Sequence, residues 1–192
     1  MGAPGFAGIG TESGPRRLGA VVSRRGCCRR WFSTPTFETM DSTLTNLRAW
    51  QVWKGLKHLS VSAACEDSAT AERVDEFCRG LARDLGRCEV TEEKWRLSEL
   101  RLPQLRSIAA DEAAQASLVI VSVHHAESLP VEMKGWIELW LRSKHPHPIA
   151  LLALFDPAYQ GNSNAIAAYL NDIARRANME FVSKSEETPD ER

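Results

Sequence analysis

Short apolar runs closed by polar residues alternate along this chain with segments whose apolar residues recur every three to four positions. That alternation constrains the fold more than any other feature. Ser117-Leu118-Val119-Ile120-Val121-Ser122-Val123 is the strongest strand signal, branched and leucine residues between small polar ones, and reads as the central strand. His58 to Cys65 stops at Glu66-Asp67-Ser68 and reads as a buried first strand. Cys88 to Val90 begins an edge-like second strand, Ile149 to Phe155 forms another buried one, and Met179 to Val182 the fifth. Between them, Val74, Phe77, Cys78, Leu81 and Leu85 repeat at helical spacing, with Ser68 or Thr70 as N-cap and Gly86 as the closing glycine. Trp95-Arg96-Leu97 with Leu100 and Leu102-Pro103 reads as an irregular link before an alanine-rich helix from about Leu105 to Ala116. Pro130 opens a helix carrying Met133, Trp136, Ile137, Trp140 and Leu141 on one face. Ile166, Leu170, Ile173, Ala174 and Ala177 mark the last helix. Strand and helix in alternation require crossovers that place helices on both faces of a parallel sheet. The expected fold is therefore α/β, a three-layer α/β/α sandwich on a five-stranded parallel sheet.

Three flanking segments complete the predicted organisation. Residues 1–39 hold seven of the twelve glycines, six arginines and two acids, have neither helical nor strand period, and are expected to be disordered. Arg16 to Pro35 is basic, serine-containing and acid-free, as an organelle transit peptide is. The alternative reading takes Met40 as the true start. Residues 40–57, with Leu44, Leu47, Trp50 and Trp53, read as a short amphipathic helix leading into the domain at 58–184, and 185–192 as a charged tail.

Charge and cysteine content narrow the partners. Without the leader the chain has 18 basic against 23 acidic groups, a net of −5, which argues against nucleic acid. The longest apolar run, Pro148 to Phe155, is far short of the ~20 residues of a membrane span. Cys65, Cys78 and Cys88 form no metal-finger or disulfide pattern, which points to a reducing, cytoplasmic setting, or to an organelle if the leader is an import signal. His145 and His147, each before a proline, read as a solvated turn. His124 and His125 are adjacent at a strand end, where successive side chains diverge, so they are not expected to share a metal ion. Cys65 precedes a helix N-terminus, but Glu66 and Asp67 oppose a thiolate there, and an inert thiol is expected.

In sheets of this kind ligands bind beyond the carboxyl ends of the strands, where strand order reverses. The loops concerned are Glu66 to Thr70, His124 to Pro130, and Asp156 to Asn164. Ala110 to Val121, followed by Ser128-Leu129-Pro130-Val131-Glu132-Met133-Lys134-Gly135-Trp136-Ile137-Glu138, resembles the flavodoxin-like superfamily, and within it the NAD(P)H-dependent FMN reductases. That family has an apolar third strand, a loop often reading Pro-x-Tyr-x-x-Ser-x-Pro, and a helix beginning x-x-Leu-Lys-x-x-Ile-Asp. Ser128, Pro130, Lys134, Ile137 and Glu138 fit, with Met133 in the leucine place, and the resemblance spans roughly Leu56 to Ser183.

The resemblance implies an oxidoreductase that passes hydride from NAD(P)H through FMN to a quinone, free flavin or similar acceptor, commonly as a homodimer. It places Ser68 and Thr70 at the FMN phosphate, His124 and His125 at the ring, and Asp156 and Gly161 at the far edge. The chain departs from the family at this site. His124-His125 stand where the family has an aromatic, one Gly161 replaces a glycine cluster, and Glu66-Asp67 flank the phosphate position. A carboxylate about 4 Å from a phosphate charge repels it by roughly 4 kcal/mol at an effective dielectric near 20. The reductase is the first reading, and the alternative is a non-catalytic flavodoxin-like or pseudo-receiver module that has lost its ligand; in the first loop, acids favour the alternative and hydroxyls the reductase. Glu66-Asp67 and Lys184 stand where a receiver has its acids and lysine, but Val123-His124 replaces the phospho-accepting aspartate.

Overall fold

The computed structural model describes residues 47–143, 148–156, 159 and 161–185. The leader, the lead-in before Leu47, His145, His147 and residues 186–192 lie outside the described residues. Five parallel strands, β1 (His58–Cys65), β2 (Glu89–Arg96), β3 (Leu118–Val123), β4 (Ala150–Phe155) and β5 (Glu180–Ser185), form one sheet in the order β2-β1-β3-β4-β5. The fold is flavodoxin-like. β3 and β4 are buried at every residue, which is why their sequences are continuous apolar runs rather than alternating ones.

Strand order dictates which face each helix covers. The step from β1 to β2 runs one way across the sheet and the steps through β3, β4 and β5 run the other, so right-handed crossovers send their helices to opposite faces. On one face, α2 (Ser68–Leu85) places Val74, Phe77, Cys78 and Leu81 against Leu59, Val61, Ile120 and Leu152. On the other, α4 (Pro103–Gln115), α5 (Val131–Leu141) and α6 (Ser163–Arg176) cover Ala64, Val119, Val121, Leu151 and Ala153. Met133, Trp136, Ile137 and Trp140 of α5 are all 0% exposed. Met133 and Ile137 each contribute roughly 1.5–3 kcal/mol through the apolar surface they remove from water.

Two elements differ from the sequence expectation. The segment Trp95-Arg96-Leu97 is not an irregular link: β2 continues through Arg96, and α3 (Leu97–Leu100) follows at once. The charges Glu92-Glu93-Lys94 conceal the strand because β2 is an edge, paired only to β1, and it needs no apolar outer row. The lead-in helix is represented among the described residues by α1 (Arg48–Trp53) alone. It lies on the α2 face, where Trp50 and Trp53 are buried edge to face at 6.5 Å. Its N-terminal amides, Arg48 N–H and Ala49 N–H, are accepted by the Glu180 carboxylate of β5 at 3.1 and 2.8 Å. A negative group at a helix N-terminus satisfies orphan donors and the helix dipole together.

Candidate functional site

Strand order reverses between β1 and β3, and the loops leaving these two strands are joined by side chains of the chain itself. The Glu66 amide first extends the β1–β3 pairing by donating to the Ser122 carbonyl at 3.1 Å. Its side chain then crosses to the other loop, where one carboxylate oxygen, Oε2, accepts the N–H groups of His124 and His125 at 2.9 and 3.2 Å. Asp67 caps α2: Oδ1 accepts the Thr70 amide at 3.0 Å, and the Thr70 hydroxyl oxygen accepts the Asp67 amide at 2.9 Å. The other Asp67 oxygen lies 2.8 Å from His124 Nε2. Burial pushes the Asp67 carboxyl up, but the Thr70 amide, the His124 charge and the two side-chain hydrogen bonds outweigh it and hold the group below the usual carboxylate range.

The loop after β4 leans on the same place. The Tyr159 hydroxyl donates to the Ala126 carbonyl, and its ring meets Phe155 edge to face at 5.3 Å. Burial, with Glu66 and Glu127 nearby, raises the Tyr159 phenol above its ordinary value. Gly161 is needed for this approach, since a Cβ there would lie 2.5 Å from the Ala126 carbonyl oxygen and 2.9 Å from the Tyr159 ring. Asp156 forms an ion pair with Arg73 of α2.

The six residues expected at a flavin are thus placed differently from one another. Ser68 is exposed as the first residue of α2, but Thr70 is 0% exposed and its hydroxyl is engaged inside the capping box. His124 is half-buried beside Asp67, and His125 is exposed. Their rings do not diverge as expected; they lie against each other with centroids 3.8 Å apart and planes tilted by 33°, because the backbone bends as soon as β3 ends at Val123 and strand alternation stops there. Gly161 and the His124–Ala126 segment come together, while Asp156 is drawn to the α2 side by Arg73. Cys65 is fully buried, and burial pushes its thiol up to about 12, as an inert cysteine requires. Among the described residues no three His, Cys, Asp or Glu side chains are grouped to hold a metal ion, and no helix is long and apolar enough to cross a membrane.

Sequence reasoning missed Arg73, Tyr159 and the direction of Glu66. All three act through contacts 33 to 83 residues away along the chain, and no local pattern announces such contacts. Glu66-Asp67 was visible as an acidic pair, yet its two members do separate work, one as a helix cap and the other as a bridge between loops. No protein-family model matches the chain, and no curated protein matches it.

Proposed function

We propose that this chain is a flavodoxin-like module that acts by association, with its ligand crevice filled by its own side chains. The observation that carries the reading is the Glu66 carboxylate on the two N–H groups at the end of β3. A ligand taking those donors must displace hydrogen bonds to a charged acceptor, each worth roughly 1.5–3 kcal/mol. A phosphate at the α2 N-terminus would also face Asp67, with repulsion on the order of 4 kcal/mol at 4 Å. The donor sequence logic of a phosphate loop is reversed here, because carboxylates sit where hydroxyls and amides would otherwise turn outward.

Association needs exposed apolar groups, and Leu102, Ile108, Val131 and Leu139 supply four of them. They are four of the six large apolar residues exposed among the described ones, and all lie on or beside the packed helices α4 and α5. The occupant proposed for this face is a second copy of the chain, in line with the dimers common in the family it resembles. The second reading is an NAD(P)H-dependent FMN or quinone oxidoreductase. It is favoured by the exposed Ser68 at the head of α2 and by the close, tilted His124–His125 rings, the residues that the resemblance assigns to the flavin ring. Titration of FMN into the full chain separates the two. The association reading expects no saturable quenching of FMN fluorescence and a sedimentation coefficient that rises with concentration, the rise being lost in Val131→Asp. Saturable quenching at micromolar FMN followed by NADPH oxidation would establish the oxidoreductase instead.

A further inference from the structure

We propose that Glu66 is an internal plug in a carboxylate-binding seat, so that the crevice is self-liganded rather than unbuilt. The inference deepens the reading of a self-filled crevice and rests on it. Two adjacent backbone N–H groups, those of His124 and His125, converge on one oxygen of a side chain that arrives from another loop. Adjacent amides aimed at one point make an anion-binding concavity, whichever carboxylate occupies it.

The seat is held in shape by contacts that do not involve Glu66. The His124 ring is fixed at 2.8 Å by Asp67 Oδ2, itself set by the α2 cap. The Ala126 carbonyl, two residues further, accepts the Tyr159 hydroxyl, and Gly161 packs directly against it. Leu129 anchors the rest of the loop in the core at 3% exposure. Withdrawing the Glu66 carboxylate therefore leaves both donors in place, facing the partly exposed ground that Glu66 occupied. The same surroundings set the class of external ligand. The seat holds one negative charge beside Asp67, which suits a monoanionic carboxylate, such as an acidic side chain or chain terminus of a partner, and disfavours a dianionic phosphate.

Acetate and inorganic phosphate serve as probes, titrated into the full chain as wild type, Glu66→Ala and Glu66→Gln, with the backbone amide signals of His124 and His125 followed by NMR. Acetate is expected to move both signals saturably in Glu66→Ala and to raise its Tm by about 3 °C or more. Wild type and Glu66→Gln, whose amide oxygen still accepts the N–H groups, are expected to stay silent. Glu66→Ser vacates the seat with a smaller polar residue and replaces Glu66→Ala if that variant does not fold. Unmoved amide signals in a folded, vacated variant would overturn the proposal, as would an equal acetate response in wild type. Tighter binding of phosphate than of acetate would overturn the assignment of ligand class. Flavin quenching by the wild type would sink the association reading without altering the acetate result, so the two fail separately.

Discussion

Removing the Asp67 side chain measures how firmly the first loop is built. Asp67→Ala deletes the acceptor that caps α2, a loss of about 1 kcal/mol. It also deletes the contact to His124, which is screened because the Asp67 side chain is 44% exposed and so adds at most about 1 kcal/mol. Together these give about 1.5–2 kcal/mol, or a Tm lowered by roughly 3–8 °C in a chain of this size. Asp67→Asn keeps a cap of equal rank and loses only the charge, so its cost is at most about 1 kcal/mol. The pH dependence fixes the sign independently. Asp67 in the folded chain titrates below its ordinary value, so as pH falls the unfolded chain takes up its proton first. The stabilisation from its charge is fully present above the unfolded pKa near 4 and disappears as pH falls through the lower, folded value. Urea unfolding of the three proteins between pH 3 and 7 reads both effects. Equal losses in the Ala and Asn variants at neutral pH, or a gap between wild type and Asp67→Asn that widens below pH 4, would refute the reasoning.

Other substitutions probe separate contacts. Gly161→Ala forces a Cβ onto the Ala126 carbonyl and is expected to cost about 2 kcal/mol or more in chemical denaturation, since backbone cannot yield as a side chain does. Glu180→Ala leaves the Arg48 and Ala49 amides without their acceptor and should cost about 1–3 kcal/mol, with a red shift of tryptophan emission as Trp50 and Trp53 loosen. Ser122 is 0% exposed and its hydroxyl oxygen has no hydrogen-bond partner among the described residues, so Ser122→Ala is expected to leave stability unchanged or raise it by about 1 kcal/mol. In a Cys27→Ser, Cys28→Ser, Cys88→Ser protein the thiols of Cys65 and Cys78, both raised by burial, should react with an aromatic disulfide reagent at pH 8 only as fast as the chain unfolds.

The order of strands and helices was legible because each buried element carries a period that nothing else in the chain imitates. β3, β4 and the tryptophan face of α5 fall where the sequence places them, and Gly86 closes α2 with φ of 67° and ψ of −65°, a positive φ that glycine adopts without a Cβ clash. β2 was only half visible, since an edge strand keeps its pairing through backbone atoms and leaves side chains free to be charged. The N-cap of α2 is neither Ser68 nor Thr70: Asp67 takes the role, and Thr70 answers it from the third position. Position along the chain located the loops of the crevice but not the occupants of their hydrogen bonds. Whether a carboxylate turns outward to solvent or inward to a neighbouring loop depends on where the second loop stands, and only the assembled sheet supplies that.

The tie between α1 and the last strand orders events during synthesis. Ala49 and Glu180 are separated by 131 residues, so the helix that opens the described chain waits for a side chain on the strand that closes it. Until β5 is made, Trp50 and Trp53 lack both Val182, which belongs to their core cluster, and the carboxylate that fixes their helix upon the sheet. A nascent chain stalled before Glu180 would therefore carry two large indoles without a settled place, a ready target for chaperones that grip exposed apolar segments. Addition of β5 is then both the last pairing of the sheet in chain order and the arrival of the acceptor that fixes its first helix.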